Sequence, residues 1–192
     1  MNVEKFTKNY LEQLKSALDN IDPSVISDIV VSLDETMKKK SRVYILGNGG
    51  SSATASHMVN YLGAGLRRRN IINLDVVSLG DNSPAVTAIA NDIGYENIFY
   101  MQMKGLLTSK DLVIAISCSG NSPNIVKAAD YAKEIGCQVI GVTGFEGGHL
   151  KKISDINFHV DTPKGEYGLV EDTHMILDHI IYSYYITRGP LD

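Results

Sequence analysis

A three-layer α/β sandwich built on a parallel sheet is the fold this sequence predicts, and three observations predict it. Five short apolar runs rich in β-branched residues recur along the chain: "RVYILG" (42–47), "LDVVSL" (74–79), "DLVIAIS" (111–117), "CQVIGVTG" (137–144) and "DINFHV" (155–160). Most of these runs are separated by helical stretches. They are apolar at consecutive positions rather than at alternate ones, as strands covered on both faces are.

Two helices precede the first run. The first carries Phe6, Tyr10, Leu14, Leu18 and Ile21 at helical spacing. The second starts at Asp22-Pro23-Ser24, with the proline suited to a first turn, and repeats Val25, Ile26, Ile29, Val30, Leu33 and Met37. It ends in Lys38-Lys39-Lys40, which complements the negative end of a helix dipole. The apolar stripe of this hairpin (residues 1–40) packs either on its own domain or on another subunit, and the spacing leaves both open. A last helix is expected over 168–187. The 192 residues suit one domain with a full core.

Apolar residues make up 44% of the chain and charged residues 21%, ordinary values for a globular protein. A net charge of -4 gives no support to a nucleic-acid or anionic-membrane surface. Arg67-Arg68-Arg69 reads as a solvated loop after a helix. Cys118 and Cys137 sit in no CxxC pair and read as buried reduced thiols. The opening residues hold no apolar signal region and no run approaches membrane-spanning length, so the cytoplasm is the expected location.

Open parallel sheets bind ligands beyond the carboxyl ends of their strands. Two turns at that edge look alike. "GNGGSS" (47–52) follows the first run, "SCSGNS" (117–122) follows the third, and each leads into a helix. Gly49 and Gly50 let the backbone approach a ligand. Each new helix offers unpaired amides and a positive dipole end, and Ser51, Ser117, Ser119 and Ser122 add hydroxyls. Together they suit a phosphate held without side-chain cations. The plain alternative is a pair of tight βα turns with N-cap serines. Neither turn is a Walker A loop or a GxGxxG fingerprint, so a phosphorylated small molecule is expected rather than a nucleotide.

"GNGGSSATASH", "AIANDIGYENIF", "AISCSGNSPNIVKAA" and "VTGFEGG" together resemble sugar isomerase (SIS) domains, on their phosphoheptose isomerase branch. The likeness covers nearly the whole chain. It implies a flavodoxin-like five-stranded parallel sheet, a homotetramer with active sites at subunit interfaces, a phosphosugar ligand and a divalent metal, usually zinc. By position it implies phosphate contacts at Ser51, Ser117, Ser119 and Ser122, with Cys118 where the family has threonine. It also implies contacts to sugar hydroxyls at Asn48 and Asp92.

The sequence departs from that family at its helices. The family has a histidine followed four residues on by a glutamate, the expected general base. Here they are His57 and Tyr61. On the last helix the family has glutamine and, eight residues on, histidine; here they are Glu171 and His179. Those two lie about 80° apart around a helix. With the resemblance, this exchange implies His57, Glu171 and His179 as the zinc set, with Glu171 also the candidate base in place of Tyr61; the alternative is plain loss of the metal site. Gly65 stands where the family has a substrate-contacting arginine, and Arg67 is the nearest replacement.

His174, about 140° around the helix from His179, is read as supporting or structural. Asp178 is read as a carboxylate on the helix surface or behind the site. His149 and His159 are read as non-catalytic. Aldose–ketose isomerisation needs a base for the C–H and an acid for the oxygen. His179 is the acid candidate, because an imidazole titrates near neutrality. Glu171 is the base candidate and Tyr61 a weaker one, since an ordinary phenol is almost fully protonated at pH 7. The expected activity is conversion of sedoheptulose 7-phosphate to the aldose heptose phosphate for surface-polysaccharide heptose synthesis. The alternatives are a non-catalytic phosphosugar-binding regulator, a protein that binds the replication initiator, and an isomerase for another phosphosugar.

Overall fold

Five strands, β1 (Arg42–Gly47), β2 (Asp75–Ser78), β3 (Leu112–Ser117), β4 (Gln138–Gly144) and β5 (Ile156–Val160), form one sheet in the computed structural model, which describes residues 2–190. All four pairings are parallel and the order is β2-β1-β3-β4-β5. The five expected runs are thus the five strands, each trimmed by at most two residues. The order puts β1 beside β3, with Gly47 in register with Ile116. The two glycine- and serine-rich turns therefore leave the sheet as neighbours, which the sequence could not reveal.

Successive strand residues face opposite layers. Val43 and Ile45 of β1 and Ile114 of β3 belong to one core, with α2 (Pro23–Lys38), α3 (Gly49–Met58) and α8 (Tyr167–Arg188) packed on it. Tyr44, Leu46, Val113 and Ala115 belong to the other, which is covered by α6 (Pro123–Glu134) and by Phe99 and Leu150. Both faces of the central strands are thus removed from water. Each fully buried branched side chain there contributes about 1.5–3 kcal/mol. Shorter helices fill the connections: α4 (Ser83–Ile93), α5 (Tyr100–Met103) and α7 (Gly148–Ile153).

The two helices of the N-terminal hairpin differ in how far they are covered within the chain. α2 packs on its own domain, burying Ile29, Val30 and Leu33. Its Asp34 receives the Arg188 guanidinium at 2.6 Å and the Tyr185 hydroxyl at 3.1 Å, which pins α8 to it. By contrast α1 (Val3–Asp19) buries no residue. It touches α8 through the Tyr10 hydroxyl, which donates to Asp172 at 2.6 Å, and leaves Phe6 and Leu11 exposed. Cys118 and Cys137 are buried free thiols. Burial, before any charge nearby, pushes them up to about 11 and about 12. Among the described residues no helix is long and apolar enough to cross a membrane.

Candidate active site

Beyond the ends of β1 and β3 lies a hollow of about 140 Å³. Asn48, Ser51, Ser117, Ser119 and Ser122 line it, together with Cys118. Its backbone is fixed by unusual glycines. Gly120 has φ +63°, and a Cβ there would run into the carbonyl of Gly147 in the loop after β4. That loop also ties down the turn through His149 N–H, which donates to Asn121 Oδ1 at 3.0 Å, and Leu150 N–H, which donates to the Gly120 carbonyl at 3.0 Å. Within the turn the Gly120 amide donates to Ser117 Oγ, and Ser117 and Ser122 lie 3.3 Å apart through their hydroxyls. Among the described residues no lysine or arginine lines the hollow. Hydroxyls, together with the amides that open α3 and α6, are what it offers to an anion.

The two turns are joined by a reciprocal amide pair. Asn48 Nδ2 donates to Asn124 Oδ1 at 2.9 Å, and Asn124 Nδ2 donates to Asn48 Oδ1 at 2.8 Å. The Tyr95 hydroxyl adds a third bond to Asn48 Oδ1 at 3.0 Å. One N–H of the Asn48 amide remains for a ligand. Asn124 and Tyr95 were not singled out in the sequence. Asn124, two residues after Ser122, is nearly fully buried, but a buried asparagine looks like any other asparagine in a sequence.

Glu171 also lines this hollow, with Tyr167. Its carboxylate rests directly over Gly50, where a Cβ would collide with it. The expected base thus sits among the groups expected to meet a phosphate, at the start of α8.

The other expected residues gather at the far end of α3. His57 Nδ1 lies 2.6 Å from Asp178 Oδ2. The Asp178 side chain is 0% exposed, and its Oδ1 has no partner among the described residues. Burial pushes the Asp178 carboxyl up, while the hydrogen bond and charge of His57 pull it back. Asp178 is therefore not on the helix surface; it stands directly behind His57. His179 and His57 have ring centroids 5.2 Å apart, and Tyr61 lies 4.3 Å from His57 and 5.6 Å from His179.

After Met58 the helix widens into a π-helical stretch, Val59–Gly65, that carries Tyr61. Such stretches recur at functional sites. The two departures on this segment are physically coupled. Tyr61 stacks on Tyr182 of α8 at 4.2 Å, and a Cβ at Gly65 would stand 3.3 Å from the Tyr182 ring. Tyrosine in place of the glutamate and glycine in place of the arginine thus build one aromatic contact. Arg67 is not a replacement for that arginine, because it donates to the Leu74 carbonyl at 3.0 Å.

Zinc does not fit the expected set within one chain. Among the described residues no three His, Cys, Asp or Glu side chains converge to hold a metal ion. His57 and His179 are neighbours, but Glu171 stands eight residues before His179, about 12 Å along the axis.

Asp92 is exposed in the last turn of α4, where its carboxylate accepts from the Asn91 amide at 2.9 Å; it does not line the hollow. His174 is structural: it is buried and its Nε2 meets the Thr143 carbonyl at 3.2 Å. His159 bonds the Thr143 hydroxyl, and His149 the Asp130 carboxylate. Neither lines the hollow.

The comparisons with known proteins agree with this geometry. The SIS domain family model matches residues 6–144. A phosphoheptose isomerase of Helicobacter pylori is 34% identical over 182 residues, covering 93% of this chain and 91% of that protein. One of Aliarcobacter butzleri is 37% identical over 150 residues, covering 77% and 76%. The structure of a phosphoheptose isomerase from Neisseria gonorrhoeae superposes with a TM-score of 0.84 at 24% identity, over 96% of this chain and 99% of that one, and so has the same fold. The chain belongs to the SIS domain family, on its phosphoheptose isomerase branch.

Proposed function

We propose that this protein is an aldose–ketose isomerase of a phosphosugar, with sedoheptulose 7-phosphate as substrate and the aldose heptose 7-phosphate as product. The observation that carries the reading is the layout of α3. An anion-binding hollow opens at its first residues, and an imidazole pair stands at its last turn. Gly50 and His57 are seven residues apart, about 10 Å along the axis. That suits an extended seven-carbon chain with its phosphoryl group in the hollow and its carbonyl end at His57 and His179. Glu171 lies at the phosphoryl end, so it is not the base in this reading.

The phosphoryl contacts would hold the reacting carbons in one place, which converts binding into orientation. His179 would supply a proton to the carbonyl oxygen as the C–H proton leaves, and take one back as the enediol collapses. The reading extends to a cytoplasmic location, where sugar phosphates are held, and to supply of heptose for surface polysaccharide. It also extends to a homotetramer. His179 is exposed in the single chain, beside the exposed Ile180 and Tyr184, while α1 leaves Phe6 and Leu11 open; a second copy would cover such surfaces.

The test is incubation with sedoheptulose 7-phosphate while the aldose product is followed. Turnover that disappears in His179→Ala is expected. Binding of the sugar phosphate without turnover by the wild-type protein would overturn the isomerase reading.

A further inference from the structure

We infer that Asp178 is a positioning residue that orients His57 as the proton-abstracting base, the role left open by Tyr61. This rests on the isomerase reading above. Asp178 is wholly buried, one of its oxygens has no partner among the described residues, and the other lies 2.6 Å from His57 Nδ1. A carboxylate only accepts, so Nδ1 carries the hydrogen and Nε2 of the neutral ring is left with its lone pair. A buried carboxylate with one partner is costly, and its attested use is to fix a neighbouring group.

The ring is held from its other side as well. Tyr61 lies against His57 at 4.3 Å, and Tyr182 backs Tyr61 at 4.2 Å. The His57 side chain is itself about one-third exposed, while its partner is closed to water. It stands one helical turn before Tyr61, on the same helix face, where the missing carboxylate would have been. Both members of the pair sit on packed helices, which hold side chains more tightly than loops do.

The step balances without any further reactant. His57 Nε2 takes a proton from the hydroxymethyl carbon beside the ketone. The C–H electron pair becomes the carbon–carbon double bond, and the ketone oxygen takes a proton from His179. The resulting enediol then collapses. His57 returns its proton to the former carbonyl carbon, the other oxygen gives its proton to His179, and the aldehyde forms.

The test reads the ring itself before it reads the rate. Nitrogen-15 NMR of the full chain, with His57 assigned by comparison with His57→Gln, should show Nδ1 protonated and Nε2 bearing a lone pair. In Asp178→Asn the amide can donate to the ring, and that signature should be lost. At the same time kcat should fall on the order of 100-fold with KM within about twofold. The opposite tautomer in the wild-type protein would overturn the pairing, whether or not the variant folds. So would an unchanged signature in a folded Asp178→Asn. An altered signature with unchanged kcat would overturn the base role, and the expected signature in a protein that isomerises no sugar phosphate would sink the isomerase reading instead.

Discussion

At its first residues α3 meets loops; at its last turn it meets another helix. The loop end is made of turns: backbone amides, serine hydroxyls and glycines at positive φ, braced by the turn after β4. The helix end is made of side chains: two imidazoles, a buried carboxylate and two stacked phenols. The first kind of site tolerates little change of shape and holds no side-chain cation among the described residues; its one charge is the Glu171 carboxylate. The second depends on which proton sits where. α8 serves both ends, with Glu171 at the hollow, His174 fastened to the end of β4, and Asp178 and His179 at the imidazoles.

That contrast can be broken most severely at Gly120. Alanine there meets the Gly147 carbonyl and is held at φ +63°, so a loss of about 3 kcal/mol in stability is expected. Urea unfolding should show it, and calorimetry should show inorganic phosphate no longer bound. Gly49→Ala is the control. It has φ +53° but nothing within 4 Å of the added carbon, so backbone strain of about 1 kcal/mol is all that it should cost.

Next comes the brace between the two ends. Burial lowers His174 to about 4 from an ordinary 6.5. Between those values the unfolded chain binds a proton that the folded chain refuses. Stability therefore falls as pH drops from 6.5 towards 4, by about 3 kcal/mol from this group, and the contribution is fully present above 6.5. In His174→Gln the slope of stability against pH over that window should flatten; an identical slope would remove His174 as its source.

A smaller effect is expected at Glu171. Its carboxylate shares the hollow with any bound anion and is partly exposed, so repulsion of about 1 kcal/mol is expected. Glu171→Gln should bind inorganic phosphate roughly fivefold more tightly in a calorimetric titration. Smallest of all is Tyr61→Phe. If the ring rather than the hydroxyl serves the site, turnover should change by less than about twofold; a large loss would return Tyr61 to the acid–base chemistry.

The loop end was legible in the sequence because its parts are local. "GNGGSS" and "SCSGNS" each announce a strand end, a turn and a helix start within six residues. The helix end was legible only in its members. His57 and Asp178 are 121 positions apart, and nothing in "LDH" marks that aspartate as the partner of a particular histidine. The placement of Glu171 shows a related limit. Angle around a helix placed it on the same side as His179, but rise along the helix put it at the other end of the site. Tyr61 and Gly65 read separately as two losses, and only Tyr182 between them shows that they are one substitution of packing.

The most direct measurement is a crystal structure of the protein with sedoheptulose 7-phosphate bound. Phosphoryl oxygens are expected on Ser117, Ser119 and Ser122, with the carbonyl end of the sugar beside His57 Nε2. A phosphoryl group seated away from those serines, or a sugar whose carbonyl end points away from His57, would contradict it.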